Sequence, residues 1–513
     1  MSKVAKVFST TTVGLDSFLV EVEVDIGAGL PSFTIVGLPD KAIDESKERI
    51  RAAIKNCHVL FPQHRLTINL APADMKKEGP AFDLPMAVGI LLASGQLEEI
   101  PEYLHSIFVG ELALDGKLRH VNGVLPTAMF AAERGFGRIY LPECNAAEAA
   151  LVSEIEVMPV KNLKSLIKHL KSEEVIKPHK RGRIEDYFTD LVYESDFAHI
   201  AGQEQAKRAM EIAAAGNHNI LLSGPPGSGK TLLARSLPSI LPDMDKDEML
   251  EVTKIYSVAG MTKESNILMS ERPFRSPHHT TSSVAMVGGG QWPKPGEISL
   301  SHRGVLFLDE FPEFPRSVLE ALRQPLEDGV VTVSRAAGSL TFPAEFMLVA
   351  AQNPCPCGFL TDAEKQCNCS PTQVMRYQKK VSGPLIDRID IHVEVPRVKY
   401  EKLSKDELAE NSKSVKVRVH KAKKVQGERF RKANLKIKNN AEMNSKYIKQ
   451  FCVLDKEAEK MIATAVDNMK LSARVYHRIL KISRTIADMN GEEIINSDCI
   501  AEALQYRPKE KQY

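Results

Sequence analysis

The sequence predicts a multidomain α/β protein: a mixed α/β unit, a parallel-sheet unit and a helical C-terminal region. Three observations carry this. The glycine-rich run Gly224-Pro225-Pro226-Gly227-Ser228-Gly229-Lys230-Thr231 follows a short apolar strand and opens an apolar-periodic helix. Strand and helix patterns alternate around that run from about 197 to 395, as a parallel sheet with crossover helices requires. From Pro396 onward strand signals vanish and Lys, Glu and Ala dominate. At 513 residues the chain is also too long for one core.

Composition narrows the class of partner. The chain is 43% apolar and 26% charged, close to an average soluble protein, and its net charge of +2 excludes a bulk basic field. Contact with nucleic acid would have to come from local patches or a pore. No apolar run reaches membrane-spanning length, and the start, Met1-Ser2-Lys3-Val4, lacks a signal-peptide core. A cytoplasmic location without a membrane partner is expected. Eight cysteines are too few for a disulfide scaffold in a chain of this length.

Taken in order, residues 1–170 read as the mixed α/β domain. Phe18–Asp25 and Arg65–Leu70 alternate with period two, and helical patterns cover Ala42–Ile54 and Leu84–Ala93. A closing helix and a lysine-rich, solvated linker follow, the linker spanning 171–196. Residues 197–395 form the α/β core. Residues 396–513 form the helical region, with a charged segment from Lys399 to about Asn440.

The chemistry gathers in the core. Asn219–Ser223 supplies the strand and Leu232–Leu237 the helix that a phosphate-binding loop needs. The glycines let backbone N–H groups curl around phosphate oxygens at a helix N-terminus. Lys230 would reach the β- and γ-phosphates and the Thr231 hydroxyl would ligate Mg2+, so ATP and Mg2+ are the expected cofactors. Val305–Leu308 is an apolar strand ending in Asp309 and Glu310; Asp309 would complete the Mg2+ shell and Glu310 orient the attacking water. A further strand, Phe346–Gln352, ends at Asn353, which suits a polar sensor between phosphate and water or an ordinary turn residue. Arg388, just before another strand, could act on a neighbouring subunit's γ-phosphate or simply pair with Asp387 at the surface. Arg474 lies in the first turn of a serine-capped helix and suits a second sensor. Val330–Phe342 alternates around a glycine turn at Gly338, a hairpin with Arg335 near its tip; that cation could meet a nucleic-acid phosphate or be a solvated charge.

Cys355, Cys357, Cys367 and Cys369 make two C-x-C pairs after Asn353. Four thiolates closing a short loop suit a tetrahedral structural Zn2+, although the pairs are tighter than the usual C-x2-C; unligated thiols are the alternative.

The strings Arg272–Ser282, Val287-Gly-Gly-Gly290, Pro295–Val305 and Glu320–Gly329 resemble the magnesium-chelatase-like AAA+ ATPases, and most closely their ComM/YifB branch, from the N-terminus to the last helix. The resemblance implies an AAA+ core with a helical lid and a hexameric ring. It also implies a helix-2 insert at roughly 257–297, a pre-sensor hairpin within 330–346 and a nucleotide-driven DNA helicase activity. That activity is branch migration in recombination and natural transformation, with DNA as substrate and room for a recombinase partner. Lys76–Pro85 and Gly110–Pro126 are similar to the nucleophile and lysine segments of Lon-type proteases. The serine position holds Ala81 and the lysine position Leu125, so a Lon-protease-like fold without peptidase activity is expected. A protein-remodelling ring would carry aromatic pore residues, which Arg335-Ala-Ala-Gly338 lacks. A chelatase motor would not carry the Lon-like domain.

Overall fold

The computed structural model describes residues 4–507 except 76, 99, 181–192, 194, 263–266, 291–292, 336–337, 363 and 399–408. The chain divides into two units, Met1–Thr189 with Lys246–Ser270, and Asp190–Asp245 with Glu271–Tyr513. Half of the 171–196 linker, Lys76 and the start of the charged segment therefore lie outside the described residues.

The first unit is built on a seven-stranded mixed sheet. Its order is Ser32–Val36, Arg65–Ala71, Asp16–Gly27, Ala5–Val13, Ser106–Phe108, Arg138–Pro142 and Glu156–Val160. The period-two pattern explains the central strand: Val20, Val22 and Val24 face the core while Glu21 and Glu23 alternate away from it. The helix Lys41–Asn56 begins where the Asp40 carboxylate accepts from the Ile43 N–H at 2.8 Å. The helix Asp83–Ala93 is apolar all round and is buried from Leu84 to Leu91 against the two longest strands, as such a helix must be.

The helix Lys246–Ala259 also belongs to this unit, although in sequence it lies between the two segments of the second unit. It packs on the helix Val124–Glu133, and the Gly123 N–H donates to the Ser257 carbonyl at 3.1 Å. The Glu148 carboxylate accepts from the Leu125 N–H at 3.3 Å and the Thr262 hydroxyl at 3.5 Å; burial raises its pKa. Amphipathic spacing shows which face of a helix is apolar. It carries no sign of which partner covers that face.

The second unit holds a five-stranded parallel sheet ordered Phe274–Arg275, Val305–Leu308, Met347–Gln352, Ile220–Ser223, Ile391–Glu394. The three central strands, Val305–Leu308, Met347–Gln352 and Ile220–Ser223, are nearly continuous buried apolar runs, as strands covered on both faces must be, whereas the edge strand Ile391–Glu394 alternates. The C-terminal helices Ser412–Lys432, Lys456–Met469 and Ala473–Asn490 share one core with the sheet, joining Leu222, Val349 and Val393 to Val419, Phe430 and Ile482. The hairpin pairs Val330–Arg335 with Gly338–Pro343, Val330 opposite Pro343 and Arg335 opposite Gly338. Gly338 is thus the first residue of the return strand rather than the turn itself, because the register places it directly across from Arg335. The Arg335 side chain lies outside the described residues.

Candidate active site

Parallel register brings the chemistry to one edge. Ser223 pairs with Gln352, and Leu308 with Ala350, so the loops leaving three adjacent strands emerge side by side at their C-terminal ends. Gly229 takes a φ of +90° immediately before the helix Lys230–Ser236, a conformation that only glycine adopts without strain. The Lys230 ammonium is buried 2.8 Å from the carbonyl oxygens of Gly224 and Pro225 and 3.3 Å from Asn353 Oδ1. Burial lowers its pKa, and Asp309 opposes that shift. The Thr231 hydroxyl donates to Asp309 Oδ2 at 2.8 Å. Lys230, Thr231, Asp309 and Asn353, read from three separate segments, are therefore one constellation.

Glu310 has a left-handed backbone, φ +51°, unusual for a non-glycine residue. Its N–H donates to Asp309 Oδ1 at 2.9 Å, and its half-exposed carboxylate lies 2.9 Å from His279 Nδ1. Sequence reasoning missed His279 as a site residue. Its only signal was membership of the Arg272–Ser282 string. A cleft of 480 Å³ opens beside Pro226–Gly229, walled by His199, Ile200, Gln203, Leu232, Arg397 and Val398. Gln203 donates to the carbonyls of Ser228, at 3.2 Å, and Pro396, at 2.6 Å, holding the wall to the loop. Leu232 aside, the wall comes from two segments distant from the loop, His199–Gln203 and Arg397–Val398, which no local motif marks.

The arginines divide. Arg388 pairs with Glu327 within its own chain, not with Asp387, and also donates to the Pro384 carbonyl. Arg474 is exposed in the first turn of Ala473–Asn490, where Ser472 accepts from the Val475 N–H at 3.4 Å. One turn on, the buried Arg478 donates to the carbonyls of Ile389, at 2.7 Å, and Asp387, at 2.6 Å, tying this helix to the strand entry. Sequence reasoning did not single out Arg478.

The four cysteine sulfurs lie within 4.8 Å of one another, with Cys355 to Cys357 at 3.4 Å, Cys357 to Cys367 at 3.5 Å and Cys355 to Cys367 at 3.6 Å. A backbone N–H donated by Phe359 pushes the Cys357 thiol down to about 6, while burial pushes Cys355 up to about 12. This donor set could hold a metal ion.

In the first unit Ala81 sits in the single turn Pro80–Phe82, and Leu125 is fully buried in Val124–Glu133. Neither offers a nucleophile or base. Lys77 is buried with its ammonium on the Pro72 carbonyl, and burial lowers its pKa.

Three family models match along the chain. "Subunit ChlI of Mg-chelatase" covers residues 22–145, "Magnesium chelatase, subunit ChlI" residues 196–403, and "Magnesium chelatase, subunit ChlI C-terminal" residues 409–507. The chain is 44% identical to "Competence protein ComM" of Haemophilus influenzae, over 98% of this chain and 97% of that one. It is 41% identical to the uncharacterized protein YifB of Escherichia coli, over 98% and 96%. A magnesium-chelatase 67 kDa subunit of Chlorobaculum parvum is 26% identical over 31% of this chain.

Proposed function

Because the chain belongs to the ComM/YifB family of magnesium-chelatase-like proteins, we propose that it is a hexameric AAA+ ATPase that drives DNA branch migration in homologous recombination during natural transformation. The observation that carries the reading is the near full-length likeness to a protein named for competence; the chelatase subunit matches less than a third of the chain. The constellation of Lys230, Thr231, Asp309 and Asn353 supports the hydrolytic half.

ATP would lie with its phosphates on the backbone of 224–231 and its base toward the neighbouring cleft. Lys230 would bind the β- and γ-phosphates and Asn353 would fix the γ-phosphate and its water. A hydroxyl and a carboxylate as close as those of Thr231 and Asp309 fit Mg2+, which takes hard oxygen donors. When bound, that ion neutralises phosphate charge. Glu310 orients the attacking water. Arg388 would swing from Glu327 to a neighbour's γ-phosphate, and Arg474 would close from a helical lid. The hairpin would carry Arg335 into the ring pore to meet the DNA backbone. The first unit is read as a Lon-protease-like module without the serine–lysine pair, serving DNA contact or ring stability. The four cysteines would hold a structural Zn2+.

A three-strand branch-migration assay tests the reading, with Lys230→Ala as the inactive control. ATP-dependent product formation, and hydrolysis stimulated by branched or single-stranded DNA but not by unfolded protein, are expected. Hydrolysis indifferent to DNA, with no branch migration, would sink the motor reading.

A further inference from the structure

We propose that the four-cysteine loop is a metal-held buttress of the nucleotide site, so that zinc occupancy sets nucleotide affinity as well as local stability. The proposal rests on the reading of Cys355, Cys357, Cys367 and Cys369 as zinc ligands. The sulfurs of Cys355, Cys357 and Cys367 lie 3.4–3.6 Å apart and that of Cys369 within 4.8 Å of them, near the tetrahedral edge of about 3.8 Å that a Zn–S bond near 2.3 Å implies. One ion would bridge both ends of a loop that carries no helix or strand among its described residues.

The loop is placed between two parts of the nucleotide site. It leaves the sheet directly from Asn353, one of the groups on Lys230. At Gly358, φ +83°, a Cβ would fall 2.4 Å from Cδ and 2.8 Å from Cγ of Pro226 in the phosphate-binding loop, and 3.7 Å from Asn353 Cγ. No side chain fits there: the backbone beside Cys357 lies directly against the phosphate loop. On the other side, the Arg397 guanidinium lies over the Phe359 ring, 5.4 Å from its centroid, and pairs with Asp362 at 2.8 Å. Arg397 walls the cleft next to the phosphate loop.

Three of the four cysteines are only partly buried, so apolar packing contributes little to holding this segment. Without the metal its backbone regains conformational freedom, and the cost of ordering it again falls on nucleotide binding. With the metal that cost is met before nucleotide arrives, which is preorganisation.

The test measures zinc by elemental analysis and affinity by titration with a fluorescent ATP analogue, on the full-length chain in excess Mg2+. Wild type is expected to carry one zinc per chain. Stripping it with a zinc-selective chelator under reducing conditions should weaken nucleotide binding on the order of tenfold, and added zinc should restore it. Gly358→Ala should keep its zinc yet lose affinity to a similar degree, because the new methyl displaces Pro226. Cys367→Ser with Cys369→Ser should lose both. Zinc present, with unchanged affinity in the stripped protein, overturns the coupling while leaving the zinc reading intact. Absence of zinc overturns the zinc reading and the proposal with it. If circular dichroism shows that stripping unfolds the chain, Gly358→Ala decides, and wild-type affinity there overturns the coupling.

Discussion

Lys230 and Glu310 have opposite surroundings, and their substitutions should separate accordingly. Lys230 is buried among carbonyl oxygens and Asn353, so its charge is aimed at one small volume. Lys230→Ala is expected to abolish detectable binding of a fluorescent ATP analogue. Glu310 is half exposed and sits where a water could approach, so Glu310→Gln should bind ATP as tightly as wild type and lose about 100-fold or more in turnover. A Gln variant that hydrolyses at wild-type rate would remove Glu310 from the mechanism. At this scale the residues that gather in the candidate site were largely legible in advance, because a glycine-rich loop between strand and helix and an acid-ended strand are local patterns. His279 and the walls of the cleft were not, since their role comes from neighbours far away in the chain.

Elements carry the next layer. Caps at Asp40, Asn411, Ser472 and Asn496 mark helix starts with short side chains that accept backbone N–H groups, which is why those boundaries can be read locally. What joins the C-terminal helices is less legible. Asp488 is fully buried and accepts from Arg429 Nη1 and Arg484 Nε, each at 3.0 Å, and from Asn440 Nδ2 at 2.9 Å. Arg484, itself 1% exposed, also donates to the carbonyls of Glu492 and Glu493. Asp488→Ala leaves two guanidiniums without their carboxylate and should cost about 3–5 kcal/mol, read as a lowered denaturant midpoint. A loss below about 1 kcal/mol would mean that water replaces the carboxylate. In the sequence these residues look like ordinary helix-surface charges. Only packing reveals that they are inside.

At the scale of the whole molecule, assembly and pH response are set by long-range placement. Arg388→Ala is expected to bind nucleotide normally and to lose hydrolysis. Mixed with wild type, it should depress total activity by more than its mole fraction; strictly proportional activity would leave a role at the neighbouring site unsupported. Burial, with the charge of Arg478, pulls the His392 pKa down to about 4. The unfolded chain binds that proton near pH 6.5, so this contribution is complete above about 6.5 and is lost as pH falls toward 4. Between pH 7.5 and 5 it amounts to about 2 kcal/mol, and His392→Gln should remove that much of the acid sensitivity of urea unfolding. The sequence by itself determined that the chain carries a glycine-rich strand-to-helix loop on a parallel sheet, a helical C-terminal region and a thiol cluster, because each is written in neighbouring residues. Tertiary structure alone decided that Lys246–Ser270 joins the first unit, that Arg388 meets Glu327 and that the cysteine loop lies against Pro226. The reason is physical: backbone preference and periodicity act over a few residues, whereas burial and charge pairing depend on which distant segments share a core.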